Sequence, residues 1–221
     1  MAGWFAVPVA LRSTAMSEAK SNCRLCGAIS DADRADGPLG IENTPLWTSR
    51  HFVVMPCVGP LLVGQVMVVS RRHVPSLAAL GPDAIAEYEE LAAKLPKNRD
   101  TLLEAEHGAT QESCAGACIT HAHVHWIPGL GDLSVTLDGV LPQFHRGSEL
   151  RLPAASVPYL FLRGGDRLVR VFDGANLPSQ LLRQVICSTL GRDDWDWRAD
   201  PRRDLILETV EYWSEARVSG T

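Results

Sequence analysis

The sequence predicts an α+β protein in which helices pack on an antiparallel sheet. Two observations carry that prediction. Short runs rich in Val, Ile, Phe and Trp recur along the chain, among them Val66–Ser70 and 118–127, and Gly, Pro or basic residues bound them. A single long stretch of helical period stands between early and late strand-like runs, with short connections on either side.

The elements follow in order. Cys23 and Cys26 form a CxxC, and the polar stretch SDADRADGPLG after it (30–40) reads as a loop. TPLWTSRHFVVMP (44–56) reads as strand, turn and strand, and Gly64–Ser70 as a further strand. Pro82 opens a helix through Lys94, with Ile85, Tyr88, Leu91, Ala92 and Leu95 at helical spacing. TLLEAE (101–106) reads as a strand, and a polar, small-residue loop leads from His107 into the run Cys118–Ile127. Residues 131–157 are loop-like with one short strand. Two apolar runs, 158–163 and 167–172, flank Gly164-Gly165-Asp166 and predict a hairpin. A helix over Ser179–Leu190, closed by Gly191, and another over Arg203–Arg217 complete the list.

The chain of 221 residues is 46% hydrophobic and 21% charged, ordinary for a globular protein. A net charge of −5 disfavours a broad nucleic-acid surface but permits a compact phosphate site. No window approaches the ~20 apolar residues that span a bilayer. The start, MAGWFAVPVAL, lacks the basic region and cleavage site of a signal peptide, and Met16 opens a more ordinary polar start. Residues 1–19 are therefore expected to be a mobile extension. Six cysteines in this length do not suggest a disulfide framework, so a reducing compartment, the cytoplasm, is expected.

The stretch His121-Ala122-His123-Val124-His125-Trp126-Ile127 holds three of the seven histidines at two-residue intervals. Side chains alternate along a strand, so the three imidazoles share one face. One metal ion would take two of them, because the outer pair is roughly 13 Å apart at the backbone. A neutral imidazole can instead attack phosphorus, with its other ring nitrogen fixed by an acceptor and neighbouring imidazoles donating to the phosphate. A solvated polar strand or a buried hydrogen-bond network is the reading without chemistry.

These seven residues resemble the motif of the histidine triad (HIT) superfamily of nucleotide hydrolases and transferases. Val66–Val74, an apolar strand followed by Arg71-Arg72-His73, resembles the segment upstream of it. The early CxxC resembles that of the zinc-containing branch. The resemblance covers about residues 20–130. It implies a HIT-like catalytic domain over 20–144, with an α/β extension over 145–221 packed on or near it.

The resemblance implies that His123 is the nucleophile, forming a nucleotidyl-histidine intermediate, with His121 and His125 beside it. Gln65, Gly116 and Cys118 fall at substrate-binding positions. Cys23, Cys26, His73 and His121 correspond to the ligands of a structural zinc ion, a closed four-ligand set. Relatives carry Gly-Gln-Ser where this chain has Gly116-Ala117-Cys118, and many have histidine at Gln65. Several hold ribose with an Asp that Met55-Pro56-Cys57-Val58 lacks. The uridylyltransferase branches have Gln where His125 stands, which favours hydrolysis over transfer. The implied activity is hydrolysis of a nucleoside phosphoramidate, dinucleoside polyphosphate or similar nucleotide conjugate. Nucleotidyl transfer, a non-catalytic nucleotide-binding module and a His-x-His zinc hydrolase are the alternatives. The family's habit implies a homodimer with no membrane partner. Gln180 and Arg183 stand where a helix start could present them to a phosphate.

Overall fold

The computed structural model describes residues 22–94, 99–111, 117 and 119–218. Among them are eight strands: β1 Trp47–Thr48, β2 Phe52–Pro56, β3 Val66–Ser70, β4 Leu103–Gly108, β5 His123–Ile127, β6 Gln143–Gly147, β7 Tyr159–Arg163 and β8 Val169–Asp173. They form one sheet in the order β1-β2-β3-β5-β4-β7-β8-β6, and every neighbouring pair is antiparallel. The helices are α1 Arg24–Ala32, α2 Pro82–Lys94, α3 Leu181–Thr189 and α4 Arg203–Val218. The fold is α+β with an antiparallel sheet, as the sequence predicts.

Two details differ from the sequence reading. The polar stretch after Cys23 is not all loop: α1 runs into it as far as Ala32. Leu25, Ala28, Ile29 and Ala32 recur at helical spacing and are buried, which outweighs Gly27 and the polar residues between them. The ladder of β5 begins at His123 rather than Cys118. Just before the strand, Ala122 donates its N–H to the Val74 carbonyl at 2.7 Å while its own carbonyl accepts the N–H of Ser70 at the end of β3, at 3.0 Å.

The pleat sorts the core into two faces. On one, Phe52, Val54, Val66, Val68, Val124, Trp126, Phe161 and Val171 pack against Tyr88 and Leu91 of α2 and Trp213 of α4. The other face carries one row across the sheet: Met55, Met67, His125, Ala105, Leu162 and Arg170 stand opposite one another in turn. Two apolar clusters divide this second face. Leu25, Ala28 and Ile29 of α1 cover Val53, Met55 and Met67. Ile186 and Cys187 of α3 cover Leu103, Ala105, Leu160 and Phe172. His123 and His125 emerge between these clusters.

The hairpin of β7 and β8 joins the sheet at β4, with Glu104 opposite Arg163. That junction carries a buried ionic network. Arg163 donates to both carboxylate oxygens of Glu104, at 2.8 and 2.6 Å, and also to Glu89; Arg167 adds a contact of 3.0 Å to Glu104. Tyr88 donates to Glu104 at 2.6 Å. The turn depends on glycine: a Cβ on Gly164 would lie 2.0 Å from the Gly131 carbonyl oxygen.

Candidate active site and metal cluster

The path of β5 fixes three imidazoles in two different environments. His121 precedes the strand, is fully buried, and donates Nε2–H to the Ser70 carbonyl at 2.7 Å. A carbonyl only accepts, so the hydrogen is on Nε2 and the Nδ1 lone pair is free. Nδ1 points at the two thiols, 3.4 Å from Cys23 Sγ and 3.6 Å from Cys26 Sγ. His73 brings its own Nδ1 to 3.3 Å from Cys26 Sγ.

One ligand atom from each of Cys23, Cys26, His73 and His121 lies within 4.8 Å of all the others. Two sulfurs and two neutral ring nitrogens are the donors zinc takes in closed four-coordinate sites. Separations of 3.3–3.6 Å match the edges of a tetrahedron around Zn–S and Zn–N bonds of about 2.3 and 2.0 Å. Burial holds the His121 pKa down to about 4, which leaves the imidazole neutral as a ligand must be. The set is a cluster that could hold a metal ion, closed by four protein groups. It joins the start of α1 to the bend before β5.

His123 is oriented by the backbone of the same cluster. It donates Nδ1–H to the His121 carbonyl at 2.6 Å. Its Nε2 therefore carries the lone pair. Burial lowers the pKa of His123 and lowers that of His125 further, the latter helped by the positive charges of His123 and Arg183. Both rings are neutral near pH 7, 5.1 Å apart and nearly perpendicular. His125 turns Nδ1 towards Cys57 Sγ at 3.6 Å. The arrangement presents one oriented nitrogen nucleophile with a second neutral imidazole beside it.

Two clefts meet at this pair. The first, with about 50 Å³ of free space, lies towards α1, walled by Leu25, Met55, Met67 and Ile119 with Asn43 and Glu42 at its polar end. The second, with about 60 Å³, lies towards α3, walled by Gln65, Ile127, Gln180, Leu181 and Ile186. His123, His125 and Arg183 border both. Arg183 is held by two backbone acceptors, donating to the Trp195 carbonyl at 2.6 Å and to the Gly59 carbonyl at 2.8 Å.

The expected site residues divide accordingly. His121, His123, His125, Cys23, Cys26 and His73 come together as described. Gln65 is buried on the wall of the second cleft, where its side-chain oxygen accepts the Leu61 N–H at 2.7 Å. Gly116 and Cys118 lie outside the described residues, as do residues 1–19 and Leu95. Gln180 and Arg183 do reach the site, from the start of α3. His51 is bound up with Glu87, whose carboxylate accepts its N–H.

Sequence reasoning missed Trp197, Arg24, Glu42 and Asn43. Trp197 lines the first cleft and lies against two guanidinium groups, with Arg24 5.0 Å and Arg198 4.7 Å from the ring centroid. A Cβ on Gly59 would fall 2.6 Å from the Trp197 Cβ, so the loop before β3 needs glycine for the tryptophan to sit there. No local pattern pairs Trp197 with Arg24, more than 170 residues away.

The fold and the site together define an α+β protein with an oriented imidazole pair beside a Cys₂His₂ cluster. No family model matches the chain, and no curated protein matches it. Solved structures do show similarity. A hypothetical histidine triad nucleotide-binding protein from Sulfolobus tokodaii is 20% identical, with a TM-score of 0.32, over 39% of this chain and 60% of that one. This chain thus spans less than two thirds of that protein. A Zn-bound histidine triad family protein from Mycobacterium smegmatis is 16% identical, with a TM-score of 0.37, over 49% of this chain and 76% of that one. A HIT family hydrolase from Clostridium thermocellum is 12% identical, with a TM-score of 0.34, over 49% of this chain and 91% of that one.

Proposed function

We propose that this chain is a histidine triad enzyme that hydrolyses nucleotide conjugates of the phosphoramidate or dinucleoside polyphosphate type. The observation that carries the reading is the tautomer of His123: Nδ1–H is committed to the His121 carbonyl, so the Nε2 lone pair is available to an electrophile. His123 Nε2 attacks the α-phosphorus, a P–N bond forms, and the bond to the leaving group breaks with its electron pair. The leaving amine picks up a proton, or a polyphosphate departs as an anion. Water then attacks phosphorus, the P–Nε2 bond breaks, and a nucleoside monophosphate leaves with His123 restored. His125 and Arg183 border the space in which the phosphate would lie, and a fixed cation stabilises charge gathering there.

The first cleft suits the nucleoside, because its apolar walls match a base and Asn43 offers a donor and an acceptor. Cys23, Cys26, His73 and His121 would hold a structural zinc, which supplies no step of the reaction and ties α1 to the start of β5. Reduced thiols at that site agree with a cytoplasmic setting. A homodimer joined through the sheet would use β1 or β6, the two outer strands. Gel filtration with light scattering tests that assembly.

Nucleotidyl transfer is the second reading, favoured by the way Arg183, Gln180 and Trp197 crowd a site where water must otherwise enter. The experiment is incubation with labelled nucleoside 5′-phosphorimidazolides, acid-labile but alkali-stable label being sought on His123 by peptide mapping at neutral to alkaline pH. Label on His123, with release of nucleoside monophosphate in water alone, supports hydrolysis. Label released only to an added acceptor supports transfer, and no label on His123 removes both.

A further inference from the structure

The second cleft has a wall residue under unusual constraint. Gln180 stands just before α3 with φ 61° and ψ 20°, the left-handed region that a side chain with a Cβ rarely adopts. It makes no capping bond to its helix. Its side chain is only 8% exposed. Asp196 fixes which way the amide lies: Nε2–H donates to Asp196 Oδ1 at 3.1 Å, and a carboxylate can only accept. The amide oxygen is therefore the other atom, and it is buried with no hydrogen-bond partner among the described residues. A buried acceptor left unsatisfied is costly, and so is the backbone conformation that places it.

Both costs fall at a residue that lines the second cleft together with His123 and His125. The rest of the wall is largely apolar: Ile127, Leu181, Leu182 and Ile186. About 60 Å³ of free space is several times what one water needs.

We propose that Gln180 is a specificity residue for the non-nucleotide part of the substrate, and that the second cleft takes a small, partly apolar group bearing a hydroxyl that donates to Gln180 Oε1. This deepens the reading of the chain as a nucleotide-conjugate enzyme and rests on it. It assigns the leaving group or acceptor to a class: a small amino alcohol or a similar hydroxyl-bearing aliphatic molecule rather than a purely hydrocarbon one.

The test compares two nucleoside 5′-phosphoramidates that differ only in the amine, 3-aminopropanol against butylamine. The wild-type protein is expected to favour the aminopropanol conjugate about tenfold in kcat/KM, the effect of one hydrogen bond to a buried acceptor. Gln180→Met and Gln180→Asn are each expected to bring that ratio below twofold. Asparagine tolerates the left-handed backbone, so the second variant keeps the test alive if the first does not fold. Equal rates for the two conjugates in the wild type, or a preference that survives in a folded variant, would overturn the assignment.

A second arm does not depend on catalysis. If His123 takes no label from a phosphorimidazolide, the enzymatic reading fails by itself, and titration decides the cleft. The ¹⁵N side-chain amide signal of Gln180, identified by its loss in Gln180→Asn, is followed as 3-aminopropanol or butylamine is added alone. A shift with the alcohol and none with the alkylamine supports the assignment; the same response to both, or none, overturns it.

Discussion

The His121 carbonyl accepts the Nδ1 hydrogen of His123 at 2.6 Å, while the His121 ring lies among Cys23, Cys26 and His73. One residue thus belongs through its side chain to the cluster that could hold a metal, and through its backbone orients His123, the proposed nucleophile. Anything that shifts His121 shifts the acceptor that fixes the His123 tautomer.

His123→Ala should therefore remove turnover and covalent labelling while the protein stays folded. Among the described residues the ring makes one hydrogen bond to the protein, so the stability loss should stay within about 2 kcal/mol. Urea unfolding and single-turnover labelling of the same preparation check both halves. Undiminished turnover would mean that another group attacks.

The metal cluster makes a compositional prediction. Protein purified without added metal should contain one zinc per chain, and Cys23→Ser should lose both the metal and at least about 2 kcal/mol of stability. Elemental analysis and thermal unfolding with and without chelator measure the two. His123 should also label more slowly in that variant, because the His121 carbonyl is no longer held.

Glu106 gives a pH dependence. Burial raises its pKa from 4.5 to about 8, against the opposing bonds from Tyr159, the Leu77 amide and the His123 amide. Between those two values the native protein holds a proton that the unfolded chain has released, so the Glu106 contribution to stability is fully present below pH 4.5 and is lost as pH rises towards 8. The slope is at most about 1.4 kcal/mol per pH unit. Glu106→Gln should remove that fall and gain on the wild type as pH rises from 5 to 8. Urea midpoints across that range decide it, and parallel curves for the two proteins would count against a protonated Glu106.

At the junction of β4 and β7, Arg163→Ala should cost roughly 3–5 kcal/mol, because it leaves the buried Glu104 carboxylate short of its main partner. Adding Glu104→Gln to that variant should recover a large part of the loss. The recovery, read by denaturant unfolding, separates an uncompensated charge from simple loss of packing.

Much of this was legible in the sequence because the signals were local. Gly164-Gly165-Asp166 between two apolar runs marked the β7–β8 hairpin, and the spacing of Ile85, Tyr88, Leu91 and Ala92 marked α2. The histidine run marked the strand that carries His123 and His125, while His121, expected on the same strand face, precedes the strand and turns to the thiols. α1 was legible too, since Leu25, Ala28, Ile29 and Ala32 keep helical spacing, but the Asp and Ser residues around its end masked it. The order of strands was not legible. Nothing in Gln143–Gly147 says that it pairs with β8 and closes the sheet, because pairing across such distances depends on shape and not on a local pattern. Arg183 and Gln180 could be named as candidates from a helix start, yet only the packing of α3 on the histidine-bearing face brings them to His125.

Three arginines from the last quarter of the chain grip one short loop: Arg183 holds the Gly59 carbonyl, Arg202 that of Pro60 and Arg192 that of Leu61. The loop returns a bond from the Gly59 N–H to the Pro201 carbonyl, and the Gly64 N–H and carbonyl are held by Thr209 and Trp213 of α4. Six backbone groups near the start of β3 thus have partners 120 to 150 residues downstream. The consequence is cooperativity. Residues 180–213 cannot melt while the central strands persist, since the loop leading into β3 would lose its partners at the same moment. Amides at Gly59 and Gly64 should exchange with solvent at the same free energy as those of α4, as members of one unfolding unit that runs from the first third of the chain to its last helix.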